Sequence, residues 1–583
     1  MALSPITRPV KLRDFAVYDL EWIPHTLEIR VVGTYDGSVY RSFLHLEDFL
    51  NFALSSQNRG KWFYAHAGGL FDVQFILDYL IRKMSKEYEI DAKFSGSSAI
   101  IVKVRRGKNC WYFCDSYWLL RASLREIGEK MVGMKKGGLD PTAGYTKEQI
   151  EEYYRSTPIK ELTEYNRLDC EILYRAIAMF QESLLRLGGQ LQMTLASSAM
   201  QLFRRRFLHQ TIKTRPGVNE MARSAYVASR VEVIAKKCSD ANYYDINSSF
   251  PFAMKSPAPG RLLQSRRTIP EGDNQIYLAR GRVRVPDDSH LPPLPIRQKG
   301  RIYFPVGAWD GWFSNVDLEL LEEMGGGIER IDEVLSFEPF HDLAEYAETL
   351  YEMRRPLDES DPMRTILKLL LNSLYGKFAE QSEKQALYIN PGAEFFQRQI
   401  QREMVMPGVW LATEEAEVEH VHVPIAMHIT SIARRNLYRY MDRSRQSYYC
   451  DTDGFACSLD SIFQTGDRLG DLKLEKVIRD GLFLAPKLYT MLTDTGKRIV
   501  KGKGFSKMSY EDFLRLQDGD EVEIERMVRI RENLRAGRSE PMEKIYEKRF
   551  RGSVRPKRFF NPDGSSRPWH VDELRPEPEK EAA

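Results

Sequence analysis

At 583 residues the chain exceeds what one hydrophobic core organises, so several domains are expected. Lys+Arg of 85 against Asp+Glu of 82 leaves a net charge of only +3, which excludes a globally basic nucleic-acid coat and requires any polyanion surface to be local. A hydrophobic fraction of 43% with 29% charged residues matches a soluble globular protein.

The first third reads as mixed α/β. "FAVYDLEW" (15–22) and "LEIRVVGTYDG" (27–37) predict a strand pair closed by an Asp-Gly turn signal. "GGLFDVQFILDYLIRKM" (68–84) has apolar residues at helical spacing behind two glycines, and "SAIIVKVRRGKNCWYFCDS" (98–116) predicts a hairpin. Residues 146–157 and 160–188 are helical, with Gly188 and Gly189 marking a domain boundary. Strands follow near 241–249 and 275–285, a proline-rich loop over 290–307, and helices over 363–381 and 425–443. The end, "RPEPEKEAA", is polar and expected to fray. Basic runs occur at 202–215, at 496–507 and, interleaved with aromatics as nucleic-acid contacts require, at 548–560. Six cysteines (110, 114, 170, 238, 450, 457) form no paired framework and no zinc set, which implies a reducing compartment. The N-terminus lacks a signal-peptide core, and no run approaches a membrane span. The protein is therefore expected inside a cell, away from membranes.

Carboxylates fall into two sets. In a strand, residues i and i+2 share a face, so Asp19 and Glu21 in "YDLEW", and Asp451 and Asp453 in "YYCDTDGFAC", each present two anions together. Burying such a pair without a cation is costly. The first set gains Asp72 where a helix is entered and Asp169 with Tyr165, which share a face at i and i+4. Four acidic residues can hold two hard divalent cations, and a phenol beside them can orient a water, as two-metal phosphodiester hydrolysis requires. The second set gains Asp245 in "YYDINSSFPFAM". Lys368, Asn372 and Tyr375 in "KLLLNSLYGK" lie at i, i+4 and i+7, a cation, an amide and an aromatic suited to a triphosphate and a base.

These motifs carry a resemblance. "DLE" (19–21), "AHAGGLFD" (65–72) and "YNRLD" (165–169) resemble the three motifs of DEDD-type 3′–5′ proofreading exonucleases. "DINSSFP" (245–251), "KLLLNSLYG" (368–376) and "YCDTDG" (449–454) resemble the polymerase motifs of family B DNA polymerases, in the family's order, and "KLY" (487–489) resembles its Lys-x-Tyr motif. The chain is similar to the protein-primed subgroup from linear-genome phages and plasmids, the type B polymerases of organelles and viruses. The resemblance implies an α/β multidomain chain: a ribonuclease H-like exonuclease domain at 1–188 and a right-hand polymerase. Its palm would occupy 189–300 and 421–484, its fingers 358–381, and its thumb and tail 485–583. Two terminal-protein-region insertions are expected at 301–357 and 382–420, the first touching the priming protein, the second enclosing DNA for processivity and strand displacement.

The same resemblance implies site roles. Asp245, Ile246 and Asp453, and in the exonuclease Asp19, Glu21, Asp72 and Asp169, bind Mg²⁺, two ions per site, with Mn²⁺ able to substitute. Asp451 supports the polymerase pair, and Tyr165 and Lys136 (in "KGGL") assist exonuclease catalysis. Lys368, Asn372, Tyr375, Ser249, Ile246 and Phe250 form the nucleotide site, Phe250 standing where a tyrosine usually excludes a 2′-hydroxyl. His66, Phe71, Phe75, Ser123 and Leu124 (in "SLREI"), Tyr226, Lys487, Tyr489 and Lys503 contact DNA. Expected partners are primer–template DNA, dNTPs and a terminal protein offering a Ser, Thr or Tyr hydroxyl, with the enzyme monomeric and located in the host cytoplasm or, for a mitochondrial plasmid, an organelle. Three departures stand out: Ala67 where the family has Asn, "YVAS" (226–229) for Tyr-x-Gly-Gly, and Gly454 for Ser. The alternatives are an exonuclease with a degenerate polymerase half, a non-catalytic DNA-binding or packaging protein, and a polymerase that initiates without a priming protein.

Overall fold

A computed structural model describes residues 2–24, 26–83, 87–137, 147–213, 215–272, 274–381, 383–415, 418–502, 508–536, 543–551, 556–562 and 564–574. The strand Phe15–Ile23 alternates Ala16, Tyr18 and Leu20 toward one apolar cluster with Phe15 and Val17 toward another, as a strand buried on both faces must. It pairs antiparallel with Glu28–Tyr35 and parallel with Trp62–Ala65. The Asp36-Gly37 turn closes the next hairpin, between Glu28–Tyr35 and Tyr40–Phe43, with Gly37 at φ 96°. The predicted hairpin forms as Ser98–Arg106 against Asn109–Asp115. The helix Ile159–Arg186 follows its apolar stripe across this sheet and stops before Gly188, which sits at φ 86°.

Sheets run across several expected domain boundaries. The N-terminal sheet has ten strands, because Glu383–Ile389 pairs with Glu89–Ser95 and brings Val409–Glu415 and Gln401–Met406 with it. Residues assigned to the second insertion thus extend the first domain's sheet. A four-stranded sheet joins Ala258–Arg266, Gly327–Phe340, Ile276–Val285 and Gly307–Ser314, so the division at 300/301 cuts one structural unit. A seven-stranded sheet runs Val231–Val233, Ser447–Asp451, Gly454–Ser458, Lys237–Ile246, Leu472–Ala485, Leu488–Thr493, Arg498–Lys501. The division at 484/485 therefore falls inside a strand. The boundary at 188/189 is likewise bridged, since one apolar cluster takes in Leu184, Phe203, Leu370 and Ile425.

Two other expectations shift. The proline-rich 290–307 stretch contains the hairpin Ile296–Gln298/Arg301–Tyr303, turned by Lys299 (φ 46°) and Gly300 (φ 75°), the left-handed pair that suits a two-residue hairpin loop. The helix expected over 363–381 is α-helical only through Pro362–Ser373. Tyr375–Ala379 tightens into a 3₁₀ turn.

The helix Val423–Arg443 is buried on nearly all sides. Its Arg434 donates to both oxygens of Asp317, at 2.9 and 3.1 Å, and Asp317 also accepts from Ser314 and Ser431, at 2.8 Å each. Near the C-terminus, the helix Ile530–Arg535 docks back on the N-terminal sheet. Ile530 N donates to Gln74 Oε1 at 3.2 Å, and Arg531 donates to the Gly96 carbonyl. No helix among the described residues is long and apolar enough to cross a membrane. Asp317→Ala leaves Arg434 charged, buried and unpaired, so stability is expected to fall by about 3–5 kcal/mol, read as a lower urea-unfolding midpoint.

Two candidate metal-dependent sites

In the N-terminal site, Asp19, Glu21 and Asp169 each bring a carboxylate oxygen within 4.8 Å of the others. The strand supplies the first two from one face, and the helix Ile159–Arg186 lays Asp169 across them. Asp72 opens the helix Asp72–Arg82, where the helix dipole favours an anion, and accepts from Leu20 N at 3.0 Å. Lys136 Nζ lies 2.5 Å from Asp169 and over the Tyr165 ring at 5.2 Å. Burial and the Asp169 charge push Glu21 up to about 7, and burial pushes Asp72 up to about 7. Burial and Glu21 raise Asp19, and burial and Asp169 raise the Tyr165 phenol. Oxygen-only donors crowded to the point of holding protons fit a hard divalent cation.

Two site residues escaped the sequence reading. Asn166 donates to the Asp19 carbonyl at 3.0 Å, to Asp19 Oδ2 at 3.1 Å and to Glu21 at 3.4 Å. It fits because Gly33, the register partner of Asp19, has no side chain: a Cβ there would lie 1.6 Å from Asn166 Oδ1. Its only sequence signal is an amide on the buried stripe of a helix. Asp115, pushed up to about 6 by burial, accepts from the backbone of Tyr117, Gly69 and Ala67 and so holds the loop before Asp72. Ala67 within that loop takes φ 55°, a left-handed conformation that asparagine tolerates better than alanine.

The expected DNA contacts here divide. Phe71 is exposed beside Trp22, whereas Phe75 is buried and belongs to the core under it. His66 bridges Ser116 Oγ (3.1 Å) and the Ala122 carbonyl (2.9 Å). Burial lowers it to about 4, so it is a neutral brace and offers no charge to a phosphate. Ser123 Oγ accepts from Glu126 N as a helix cap, and Leu124 is partly buried.

In the C-terminal site, Asp245 pairs in register with Gly454, so it stands next to Asp453, whose carbonyl accepts from Ile246 N at 2.9 Å. The turn between Asp451 and Asp453 is tight, with Thr452 at φ 69°. Asp453 is pushed up to about 7 by burial, Asp245 and Asp451, and Asp245 up to about 6 by burial and Glu475. Asp451 instead takes Lys487 Nζ at 2.9 Å and Tyr449 OH at 3.3 Å. Among the described residues, only the N-terminal trio packs three acidic ligands within 4.8 Å; the Asp245, Asp451 and Asp453 set is looser. Gly454 is explained by Tyr243, whose hydroxyl would lie 2.8 Å from a Cβ there.

Phe250 stacks on Tyr375, centroids 4.1 Å apart at 14°, beside the buried Ser249, whose Oγ has no hydrogen-bond partner among the described residues. Lys368 and Asn372 are exposed on the helix Pro362–Ser373 and line a cavity of about 510 Å³ with Arg121, Lys130 and Leu195. Tyr226 is half-buried near Tyr375. Tyr489 is buried against Tyr449 and Phe483, and Lys503 lies outside the described residues. Of the basic run at 548–560, Arg558 is fully buried and Lys557 donates to the Val231 carbonyl. Arg558 is therefore structural and gives DNA no surface, while Lys557 is half-buried.

The family described as DNA polymerase type B, organellar and viral, matches residues 140–454. A probable DNA polymerase of Neurospora intermedia is 25% identical over 571 residues, covering 82% of this chain and 58% of the relative. The DNA-directed DNA polymerase of Enterobacteria phage PRD1 is 23% identical over 493 residues, covering 81% of each. The solved structure of Phi29 DNA polymerase complexed with primer-template DNA and incoming nucleotide substrates aligns at TM-score 0.70 and 18% identity, over 93% of this chain and 100% of that one. The chain spans 58%, 48% and 31% of three fungal relatives.

Carboxylates raised above their unfolded values stabilise the fold at low pH and lose that contribution as pH rises through the folded value. Glu21, Asp72 and Asp453 place this loss near pH 7. The buried histidines 66, 422 and 428, lowered to about 4, act oppositely but are spent above about pH 6.5. In divalent-free buffer the thermal midpoint is therefore expected to drop between about pH 6.5 and 8, and millimolar Mg²⁺ should abolish the drop. Differential scanning fluorimetry across that range checks both.

Proposed function

Because the chain belongs to the organellar and viral type B DNA polymerases, we propose that it is a template-directed DNA polymerase carrying a 3′–5′ exonuclease. Its substrates are primer–template DNA and deoxynucleoside triphosphates, and each site works with two divalent cations, Mg²⁺ in the cell. The observation that carries this reading is the register of Asp245 against Gly454, which brings acidic residues from distant parts of the chain to one turn.

Asp245 and Asp453 would hold the cations at the polymerase site. When bound, these supply the charge that lowers the pKa of a primer 3′-hydroxyl and neutralises the triphosphate. Lys368 meets the triphosphate as a point charge. Phe250, pinned by its stack on Tyr375, forms a rigid wall under the sugar that a 2′-hydroxyl would strike. Asp451 keeps Lys487 at the turn, within reach of the primer strand. At the exonuclease site Asp19, Glu21, Asp72 and Asp169 would hold the second cation pair. Tyr165 orients the attacking water, and Lys136 offsets charge on Asp169. Phe71 and Leu124 offer the apolar contacts that a frayed single strand needs.

Initiation on a terminal protein is part of the proposal, as are a monomeric enzyme and an intracellular site of action. It is supported by the strands Gly307–Ser314 and Gly327–Phe340 and the three strands of 383–415, which lie within 301–357 and 382–420, where the family's two insertions are expected. Covalent attachment of a deoxynucleotide to a protein Ser, Thr or Tyr hydroxyl is the expected first product, and de novo synthesis on template alone would contradict it.

A labelled primer–template tests the core reading. With Mg²⁺ and dNTPs the primer should lengthen, and without dNTPs it should shorten. Asp453→Ala is expected to lower extension about 10²–10³-fold while sparing shortening, and Asp19→Ala to do the reverse. Shortening without any extension by the unaltered chain would favour an exonuclease with an inactive second half. Binding without either reaction would favour a non-catalytic DNA-binding protein.

A further inference from the structure

The Asp451–Asp453 turn hangs on an edge strand. Thr452 N donates to the Arg230 carbonyl at 2.9 Å, and the next residues, Val231–Val233, pair with Asp451, Cys450 and Tyr449. This short strand is the outermost of its seven-stranded sheet, so its far side needs partners from elsewhere. They come from the C-terminal end of the chain. Lys557 Nζ donates to the Val231 carbonyl at 2.8 Å, and Ser566 Oγ donates to the Ile234 carbonyl.

Beneath the strand lies a buried charge cluster. Glu232 receives Arg230 Nε and Nη2 at 2.9 and 2.6 Å, and Arg230 Nη1 reaches the Pro292 carbonyl at 2.9 Å. Arg558, which has no solvent exposure, brings Nη1 to 3.8 Å from the other Glu232 oxygen. Its Nη2 and Nε donate to the His290 carbonyl and Ser566 Oγ, both at 2.9 Å, while Nη1 and the Glu232 oxygen it faces have no hydrogen-bond partner among the described residues and meet through charge alone. A buried arginine is costly unless an opposite charge is near it. Here the fork joins the C-terminal segment, the 290 loop and the edge strand at one point.

We propose that residues 556–562 and 564–574 form a buttress for the polymerase turn, with Arg558 as the residue that positions Asp451 and Asp453 through Glu232, Arg230 and Thr452. The inference rests on the polymerase reading above. It assigns residues 556–562 and 564–574 to catalytic geometry at one site only, because Asp19 and Glu21 lie on a different sheet and Asp72 and Asp169 on helices.

The test is Arg558→Gln, measured three ways in the full chain. Primer extension should lose about 10²-fold in kcat, the scale of a small misplacement of reacting groups, with the KM for dNTP unchanged. Shortening of single-stranded DNA should keep its rate, which also certifies folding. In metal-free buffer, amide hydrogen exchange over residues 449–454 should accelerate, because Thr452 loses its anchored acceptor. Arg558→Lys, which keeps the charge but not the fork, should fall between. Lys557→Met, which removes the bond to the Val231 carbonyl, should shift exchange and kcat the same way by less, and it remains informative if Arg558→Gln does not fold. Unchanged extension, unchanged exchange, or extension and shortening falling in parallel would each overturn the buttress. Absence of extension by the unaltered chain would instead refute the polymerase reading itself.

Discussion

Like charges forced together by backbone geometry govern this molecule. A strand cannot carry Asp19 and Glu21 two residues apart without aiming both at one volume, and the helix that crosses it adds Asp169. The same logic at the second site sets Asp245 beside Asp453 through antiparallel register. Lys136 in the first cluster and Lys487 in the second each pair with one carboxylate, and neither cancels the charge. Nearby elements are arranged around that residual repulsion: Gly33 makes room for an amide that shares protons with two carboxylates, Asp115 locks the loop before Asp72, and Tyr243 fills the space that a side chain at 454 would take.

Local periodicity made much of this legible. Period-two alternation located the carboxylate pairs, and 3.6-residue spacing located the helices that carry Tyr165, Asp169, Lys368 and Asn372. What stayed hidden depends on partners far away in the chain. Asn166 reads as one more polar residue on a helix until Gly33 is seen opposite Asp19. Nothing in "EKQALYI" announces that it pairs with "EIDAKFS" near the N-terminus, since strand pairing between distant segments leaves no local period. Residues 548–560 read as a nucleic-acid surface because composition reports charge but not burial, and Arg558 spends its charge inside the protein. The divisions at 300/301 and 484/485 were placed by motif spacing, and hydrogen-bonded sheets run across both.

The departures from the family pattern also find physical accounts. Gly454 costs nothing at the turn because Tyr243 already occupies the space. Ala67 keeps the left-handed backbone its position demands but brings no amide, and Asp115 holds the loop's geometry. His66, neutral and doubly hydrogen-bonded, serves that same loop.

The ten-stranded sheet has a mechanical meaning. Glu383–Ile389 is stitched edge to edge with Glu89–Ser95, and the Ile530–Arg535 helix is clasped to the same body. Sliding the 383–415 hairpin relative to the N-terminal unit would shear a whole row of backbone bonds at once, so the two behave as a single stiff plate. The strands of 383–415 therefore keep a fixed place beside the N-terminal carboxylates.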